Sequence, residues 1–471
     1  MVAMKIPILS GIYTDANSDY RVSYPVNLFV IPGSNGISDS YLRPADGLVS
    51  VSTGPGIDRG AIEWNGTHYR VMGPFLVSVD NAGVITNLGY VGGGNSQVTL
   101  DYSFDRLAIA SDGKLYYWNG TSLQNVADPD LGTVIDVVWV DGYFMTTDGT
   151  SLIVTELTDP TSVNPLKYGS SEVDPDSIVS LLKIRNEVYA LNRHTIEAFD
   201  NVGGDFFPFQ RIDGAQIPKG CIGTHACCVY SDAIAFLGGG RNEPPSIYLG
   251  LNGQAKPIST QEIDRLLLQY TEEQLADSEL EARVDRGRKL LYVHLPDRTL
   301  VYDINASEAL GSHIWVTLTS TYGAGFTRYA AHNFVWVNNN WWAGSPTSST
   351  IGTLTKDVGS HWGSTVRWEF GTSILYNEGR GGILHQLELV ALTGRVTSGI
   401  DPTISTSYSN DGVTWSQPKF IKAGAVGDRL KRLAWFQQGF MRNMRMQRFQ
   451  GDTQTHLSVT RLEAQIEGLN V

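Results

Sequence analysis

A recurrent hairpin grammar constrains this chain more than any other feature. From about residue 60, short apolar runs alternate with turn dipeptides. These are Asn65-Gly66 and Ala82-Gly83 in a first unit, Asp112-Gly113 and Asn119-Gly120 in a second, and Asp141-Gly142 and Asp148-Gly149 in a third. Asn-Gly and Asp-Gly accept positive φ at both central positions of a type I′ turn, so such dipeptides between alternating runs mark tight antiparallel connections. The tetrapeptide Trp64, Asn65, Gly66, Thr67 recurs as Trp118, Asn119, Gly120, Thr121, 54 positions later. Weaker units of the same kind start near Ser177, Cys221, Lys289 and Phe326. A period of about 40 to 55 residues between small multi-stranded units is that of β-propeller blades. The pattern predicts a propeller of six or seven blades over residues 60–357.

One segment departs from this rhythm. Ser259, with Glu262 three positions on, forms a capping box ahead of Ile263, Leu266, Leu267 and Tyr270 at helical spacing. An inserted amphipathic helix is expected over 260–276, covering a sheet edge or meeting another subunit. Beyond Lys356 the runs lengthen and alternate strictly, which predicts a C-terminal β-sandwich over 358–471. Residues 1–59 hold Pro, Gly and Ser with little periodicity, and read as an extended N-terminal arm ordered by packing on neighbours or on the propeller. The fold class is therefore all-β.

Composition removes several alternatives. The 471 residues include 50 Gly, 11 Trp, 21 Tyr and 16 Phe, and only 18% are charged, against about 25% in an average domain. Disorder, coiled coil and long helical bundles do not fit such a composition. A formal charge of -13 argues against wrapping nucleic acid, which needs a basic surface. The three cysteines, Cys221, Cys227 and Cys228, are confined to eight residues and cannot staple the fold, so synthesis in a reducing cytoplasm is expected. No run approaches the roughly 18 apolar residues of a membrane span.

Candidate chemistry is sparse. Cys221, His225 and Cys227 share strand parity, but the run is continuous and apolar, and zinc ligands usually pair across a turn. Ser409-Asn410-Asp411-Gly412-Val413-Thr414-Trp415 is similar to the Asp-box of sialidases, one residue short, and such a box stabilises a turn without supplying a catalytic group. No acidic pair suited to glycoside hydrolysis stands out, and there is no Walker loop, nucleophile elbow or His-Glu-x-x-His. The triplets Gly92–Gly94 and Gly238–Gly240 precede polar segments and are expected to be loops. Trp336, Trp341 and Trp342 suit either a sugar platform or blade packing. No catalytic residue, cofactor or metal is expected. The most distinctive charge feature is Arg429, Lys431, Arg432, Arg442, Arg445 and Arg448, with no acid before Asp452. This local positive stripe suits an acidic partner or subunit.

Several short motifs then fall into place. Ile6-Pro7, Ser10-Gly11, Asp19-Tyr20, Tyr24-Pro25-Val26-Asn27 and Tyr41-Leu42-Arg43 with Gly47 resemble the N-terminus of the tail hub, or nozzle, proteins of short-tailed phages, the packaged-DNA stabilisation family. The resemblance resumes at Pro245-Ser246-Ile247-Tyr248, Gly253-Gln254-Ala255, Pro257-Ile258, Gln269-Tyr270-Thr271, His294-Leu295-Pro296 and Leu300-Val301-Tyr302-Asp303. It implies a structural virion protein: a homohexameric ring below the portal-adaptor ring, extending the channel through which DNA leaves. It also implies sites for tail spikes or fibres and for a distal needle or plug that retains the packaged genome. Six copies would total about -78, a field that lets DNA slide instead of gripping it. The alternatives are a virion-associated propeller that binds or hydrolyses glycans, and a cellular propeller adaptor.

Overall fold

The computed structural model describes every residue except 1, 10, 17, 18, 34–36, 324, 397–399, 470 and 471. Ser10 of the Ser10-Gly11 motif lies outside the described residues. The chain forms two compact units that do not follow sequence order. One takes residues 50–296 and 330–353, the other 1–49, 297–329 and 354–471.

The first unit is the propeller. Its first blade is an antiparallel meander of Asp58–Trp64, Thr67–Met72, Phe75–Val79 and Ile85–Tyr90. Blades two to five open with Thr99–Tyr102, Asp136–Val140, Ile178–Ile184 and Gly220–Cys221 with Cys227–Tyr230. The sixth opens with Glu279–Asp285 and the seventh with His332–Val337, so the count is seven. These opening strands neighbour one another in order, and His332–Val337 returns to Asp58–Trp64. Residues 50–58 close the ring against the seventh blade: Gly54 N–H donates to Ser349 O at 2.8 Å and Asp58 N–H to Ser345 O at 3.1 Å.

The turn chemistry works as expected at some hairpins and not at others. Asn65 and Gly66, with φ of 53° and 76°, both adopt the left-handed region that a type I′ turn demands. Asp112-Gly113 and Asp141-Gly142 do the same. Asn119 does not; its Oδ1 accepts from Thr121 N–H and Ser122 N–H, an Asx turn. The two Trp-Asn-Gly-Thr copies therefore occupy different places, Trp64 ending an opening strand and Trp118 a third strand. They share one apolar cluster, where Trp118 Nε1 donates to Tyr69 Oη at 3.4 Å. Gly238 and Gly239 are not a loop. They lie in the strand Ala233–Gly239, pressed so close to Gly220 O that Gly238 has no room for a Cβ.

Apolar clusters fill the seams between successive blades, and buried polar groups latch them. Between the first two blades Arg59, fully buried, donates to Ser96 O, Gly73 O, Ser111 Oγ and Asp112 Oδ1. At the closing seam Arg70 and Asp58, both fully buried, make two parallel bonds of 2.7 Å. Asn333 Nδ2 from the seventh blade donates to Asp58 Oδ2 at 2.7 Å, and Arg70 donates to Asn333 O at 3.1 Å. His332 bridges onward to Glu279 at 2.8 Å, while Glu281 accepts from Phe334 N–H and faces His294 at 2.7 Å. Three blades are thus tied by one low-dielectric network, where an unpaired charge would be costly.

The expected single helix is two short ones. Helix α1 spans Gln261–Leu267 with Thr260, not Ser259, at its N-cap and no side-chain cap bond. Helix α2 spans Glu272–Ala276 and carries the capping box, Thr271 with Gln274. The first helix ends at Leu268, and Thr271, whose side chain accepts from Gln274 N–H, starts a second one.

The second unit is the sandwich. One sheet runs in the order Leu28–Pro32, Ser40–Pro44, Ser458–Gly468, Gly382–Leu392, Leu433–Met441, with Val2–Ile6 also paired to Ser458–Gly468. The other runs Arg367–Gly371, Met444–Asp452, Thr403–Ser409, Lys419–Lys422. Much of residues 1–49 is thus sheet, paired within this unit. Ile6, Leu28, Val30 and Leu42 share one core with Trp368, Trp435, Phe449 and Leu462, each worth about 1.5–3 kcal/mol when fully buried. A third helix, α3 (Ile304–Leu310), contributes Ala306 to that core.

Asn27 pins this unit together. At φ 53° its Nδ2 donates to Thr319 O at 2.9 Å and to Arg367 O at 2.7 Å, and its Oδ1 accepts from Thr319 N–H at 3.1 Å. Val26 N–H donates to Glu369 O and Thr317 N–H to Pro25 O. The motif Tyr24-Pro25-Val26-Asn27 is a staple of three chain segments.

Candidate partner-binding surface

Two strands end their sheets at one margin of the sandwich, Leu433–Met441 and Lys419–Lys422. They are cross-linked there: Lys419 Nζ donates to Gln437 O at 2.7 Å and Trp435 Nε1 to Lys419 O at 3.0 Å. Alternation in Leu433–Met441 breaks in the middle. Leu433 and Trp435 face inward, then Gln437 adopts φ 52° and Gly439 φ 87°, and the pairing with Gly382–Leu392 slips between Leu384 and Gln386. This is a β-bulge. It turns Gln438 inward and leaves Phe436 60% and Phe440 47% exposed.

The bulge explains where part of the positive stripe went. Arg445 is fully buried: Nη1 donates to Gln438 O at 2.8 Å, Nε and Nη2 share Gln447 Oε1 at 3.1 Å, and the guanidinium lies 3.8 Å from the Tyr408 ring centre. Burial pulls its pKa down to about 10, with Tyr408 opposing. Arg448 is half-buried 4.2 Å over Trp415 and bonds Ser407 Oγ, and burial lowers it as well. Arg432 forms a two-toothed pair with Glu388, at 2.7 and 2.6 Å, which holds that carboxylate below its usual range. Four of the six, Arg429, Lys431, Arg432 and Arg442, stand exposed, and of these Arg432 is held by Glu388. Sequence spacing gives no sign of this division, because it turns on partners far along the chain: Tyr408 for Arg445, Trp415 for Arg448 and Glu388 for Arg432. Leu430, between Arg429 and Lys431 in sequence, is 97% exposed, and Phe420 on the strand Lys419–Lys422 is 65% exposed.

The other candidates resolve into structure. Asp411 Oδ1 accepts from Val413 N–H and Thr414 N–H at 2.9 and 2.7 Å, and these bonds hold its carboxyl down to about 2. The turn so fixed carries Trp415 beneath Arg448. Cys221 and Cys227 are buried, and Cys227 Sγ lies 3.2 Å from Ser180 Oγ. Hydrogen bonding with Cys221, then burial, raise the Cys227 thiol well above its ordinary value. Among the described residues no three His, Cys, Asp or Glu are grouped to hold a metal ion. Gly94 N–H donates to Asp112 Oδ2 at 2.7 Å, so the first Gly triplet wraps the carboxylate that pairs with Arg59. Trp342 is buried beside His68, whereas Trp336 is half-exposed against Trp341. No helix among the described residues is long and apolar enough to cross a membrane.

Comparison with known proteins accounts for both units. A family model described as bacteriophage P22 Gp10, beta-propeller, matches residues 4–359, and one described as bacteriophage P22 Gp10, beta-sandwich, matches residues 367–467. The chain belongs to the P22 Gp10 family of phage tail hubs. A curated relative, tail hub protein gp10 of Salmonella phage P22, is 27% identical over 466 residues, covering 94% of this chain and 95% of the relative. The resemblance seen in the arm and at Pro245–Asp303 thus extends along nearly the whole hub chain, and the protein is a structural component of a phage tail. Solved structures with similar folds include the designed protein Ika8 and the Pan2 WD40 domain of Neurospora crassa. Ika8 has a TM-score of 0.38 and 12% identity, covering 66% of this chain and 100% of that one. The Pan2 domain has a TM-score of 0.42 and 10% identity, with 66% and 95% covered.

Proposed function

We propose that this tail hub assembles as a homohexameric ring below the portal-adaptor ring, extends the ejection channel and holds the packaged genome until release. The observation that carries this reading is the match to a tail hub along 94% of the chain, through both propeller and sandwich. Its role is scaffolding: interlocked blades and a stapled sandwich present surfaces without chemistry of their own. Synthesis takes place in the host cytoplasm, and the virion tail is the destination. Spikes or fibres and a plug or needle dock on it, and Arg429, Lys431 and Arg442 are the stripe cations available to them. The net charge of -13 per copy favours sliding of DNA over counterion-release binding.

The test is a particle assembled without this chain. Capsids that fill and then lose their DNA, with empty density below the adaptor in symmetry-resolved images, are the expected result. Particles that lack the chain yet retain DNA and infect would overturn the reading, and so would a lumen lined by Arg and Lys for the sliding channel.

A further inference from the structure

Charge is unevenly divided along this chain. Residues 415–450 carry eight Lys and Arg against Asp428 alone, while the rest of the chain carries 27 against 47 Asp and Glu. One long acidic stretch is 128–176, with ten Asp and Glu and a single Lys. That Lys, Lys167, is paired with Glu156 at 2.7 Å.

The acidic stretch makes a defined face. Val163–Ser170 is the outermost strand of the third blade. Tyr168 Oη donates to Asp130 O, Val163 N–H to Asp128 Oδ2, and Ser162 N–H to Asp159 O, so these acids flank that strand. Asp130, Asp159 and Glu172 are exposed. Apolar side chains stand among them: Leu166 at 70%, Leu157 at 55% and Val173 at 39% exposure. The sandwich margin is the counterpart in chemistry: Arg429, Leu430 and Lys431 precede the edge strand Leu433–Met441, Phe436 is exposed within it, and Arg442 follows its end.

We propose that the sandwich margin of one copy docks on the outer face of the third blade of a second copy, apolar against apolar and cation against carboxylate. The inference rests on the ring assembly proposed above and names its contact. The bulge at Gln437 interrupts the edge ladder, so the margin meets its partner by side chains and not by strand addition. The two faces differ, which makes the contact heterologous, the kind that generates rings when the rotation closes. Exposed charges are screened by salt, so association weakens as salt rises.

Sedimentation velocity of the purified full-length chain, over a range of concentration and salt, tests it. Wild type associates at low salt. The margin variant R429E/K431E/R442E and the blade variant D130K/D159K/E172K each lose association by about 100-fold or more, because like charges then face each other. An equimolar mixture of the two variants re-associates, since each new face meets its opposite. Leu430→Asp, at a side chain with no packing to lose, keeps the test open if a triple variant misfolds, and it too weakens association. Wild type that stays monomeric throughout, variants that associate like wild type, or a mixture that stays apart would each overturn the contact. A monomeric chain still needed for genome retention would sink this contact and spare the hub reading. Particles that keep their DNA without the chain would sink the hub reading, leaving self-association separately readable.

Discussion

Replacing Asn27 by alanine removes three side-chain hydrogen bonds at once, to Thr319 O, Arg367 O and Thr319 N–H, at a site only 3% exposed. Each stranded backbone group costs about 1–3 kcal/mol when water cannot replace the partner. The backbone adds to this, because φ of 53° is a left-handed conformation that costs a residue with an ordinary Cβ about 1–2 kcal/mol. The sum is about 4–11 kcal/mol, a large share of the roughly 5–15 kcal/mol that holds a domain. Denaturant unfolding followed by tryptophan fluorescence reads it, since Trp368 and Trp435 lie in the same core. Hydrogen exchange at Thr319 N–H locates it. Asn27→Gly restores the backbone freedom but not the bonds, and recovers about 1 kcal/mol of the loss. Asn27→Asp keeps an acceptor for Thr319 N–H while aiming a carboxylate at two carbonyl oxygens, and is at least as damaging as alanine. An alanine variant within about 1 kcal/mol of wild type, with Thr319 still protected, would refute the account of a central staple.

Other outcomes follow from the same structure. Arg70→Met strands Asp58 in the closing seam and destabilises by about 3–5 kcal/mol, whereas the pair Arg70→Met with Asp58→Asn recovers part of that loss; thermal melts of the two variants check it, and a neutral single variant sinks it. Burial holds the His361 pKa at about 3, so the folded chain stays neutral there while the unfolded chain takes a proton below about 6.5. Stability therefore falls as pH drops from about 6.5 toward 3, by up to about 1.4 kcal/mol per pH unit. His361→Gln flattens that slope by about one proton in unfolding free energies measured across the window. His68 and His456, both lowered by burial, contribute part of the slope that remains.

The propeller was legible because its signal is local: a two-residue turn and two alternating runs suffice to mark a hairpin, and the chain repeats them. The closing seam was not, because Asp58, Arg70, Glu279, His294 and His332 lie in three different blades and share no spacing. The strand pairing of the arm was not legible for a related reason. Val2–Ile6 and Leu28–Pro32 carry ordinary strand patterns, but their partners, Ser458–Gly468 and Ser40–Pro44, place them in a sheet completed by residues more than four hundred positions away. Likewise, the capping-box signal at Ser259 was outcompeted by a better one twelve residues later, at Thr271.

The basic stripe teaches the more general point about reading a site. Charge counted along the sequence equals charge presented to a partner only where no other part of the fold claims it. The bulged strand Leu433–Met441 bears none of the six cations, yet it claims one from the next strand: the Gln438 carbonyl is taken by Arg445. Arg445 accordingly serves the margin by shaping it, not by touching what binds there. The same bulge leaves Phe436 and Phe440 exposed on an edge that can no longer accept a strand cleanly. A margin built to repel strand addition while displaying aromatics and cations is suited to a folded, acidic face, and this chain carries one on its own third blade.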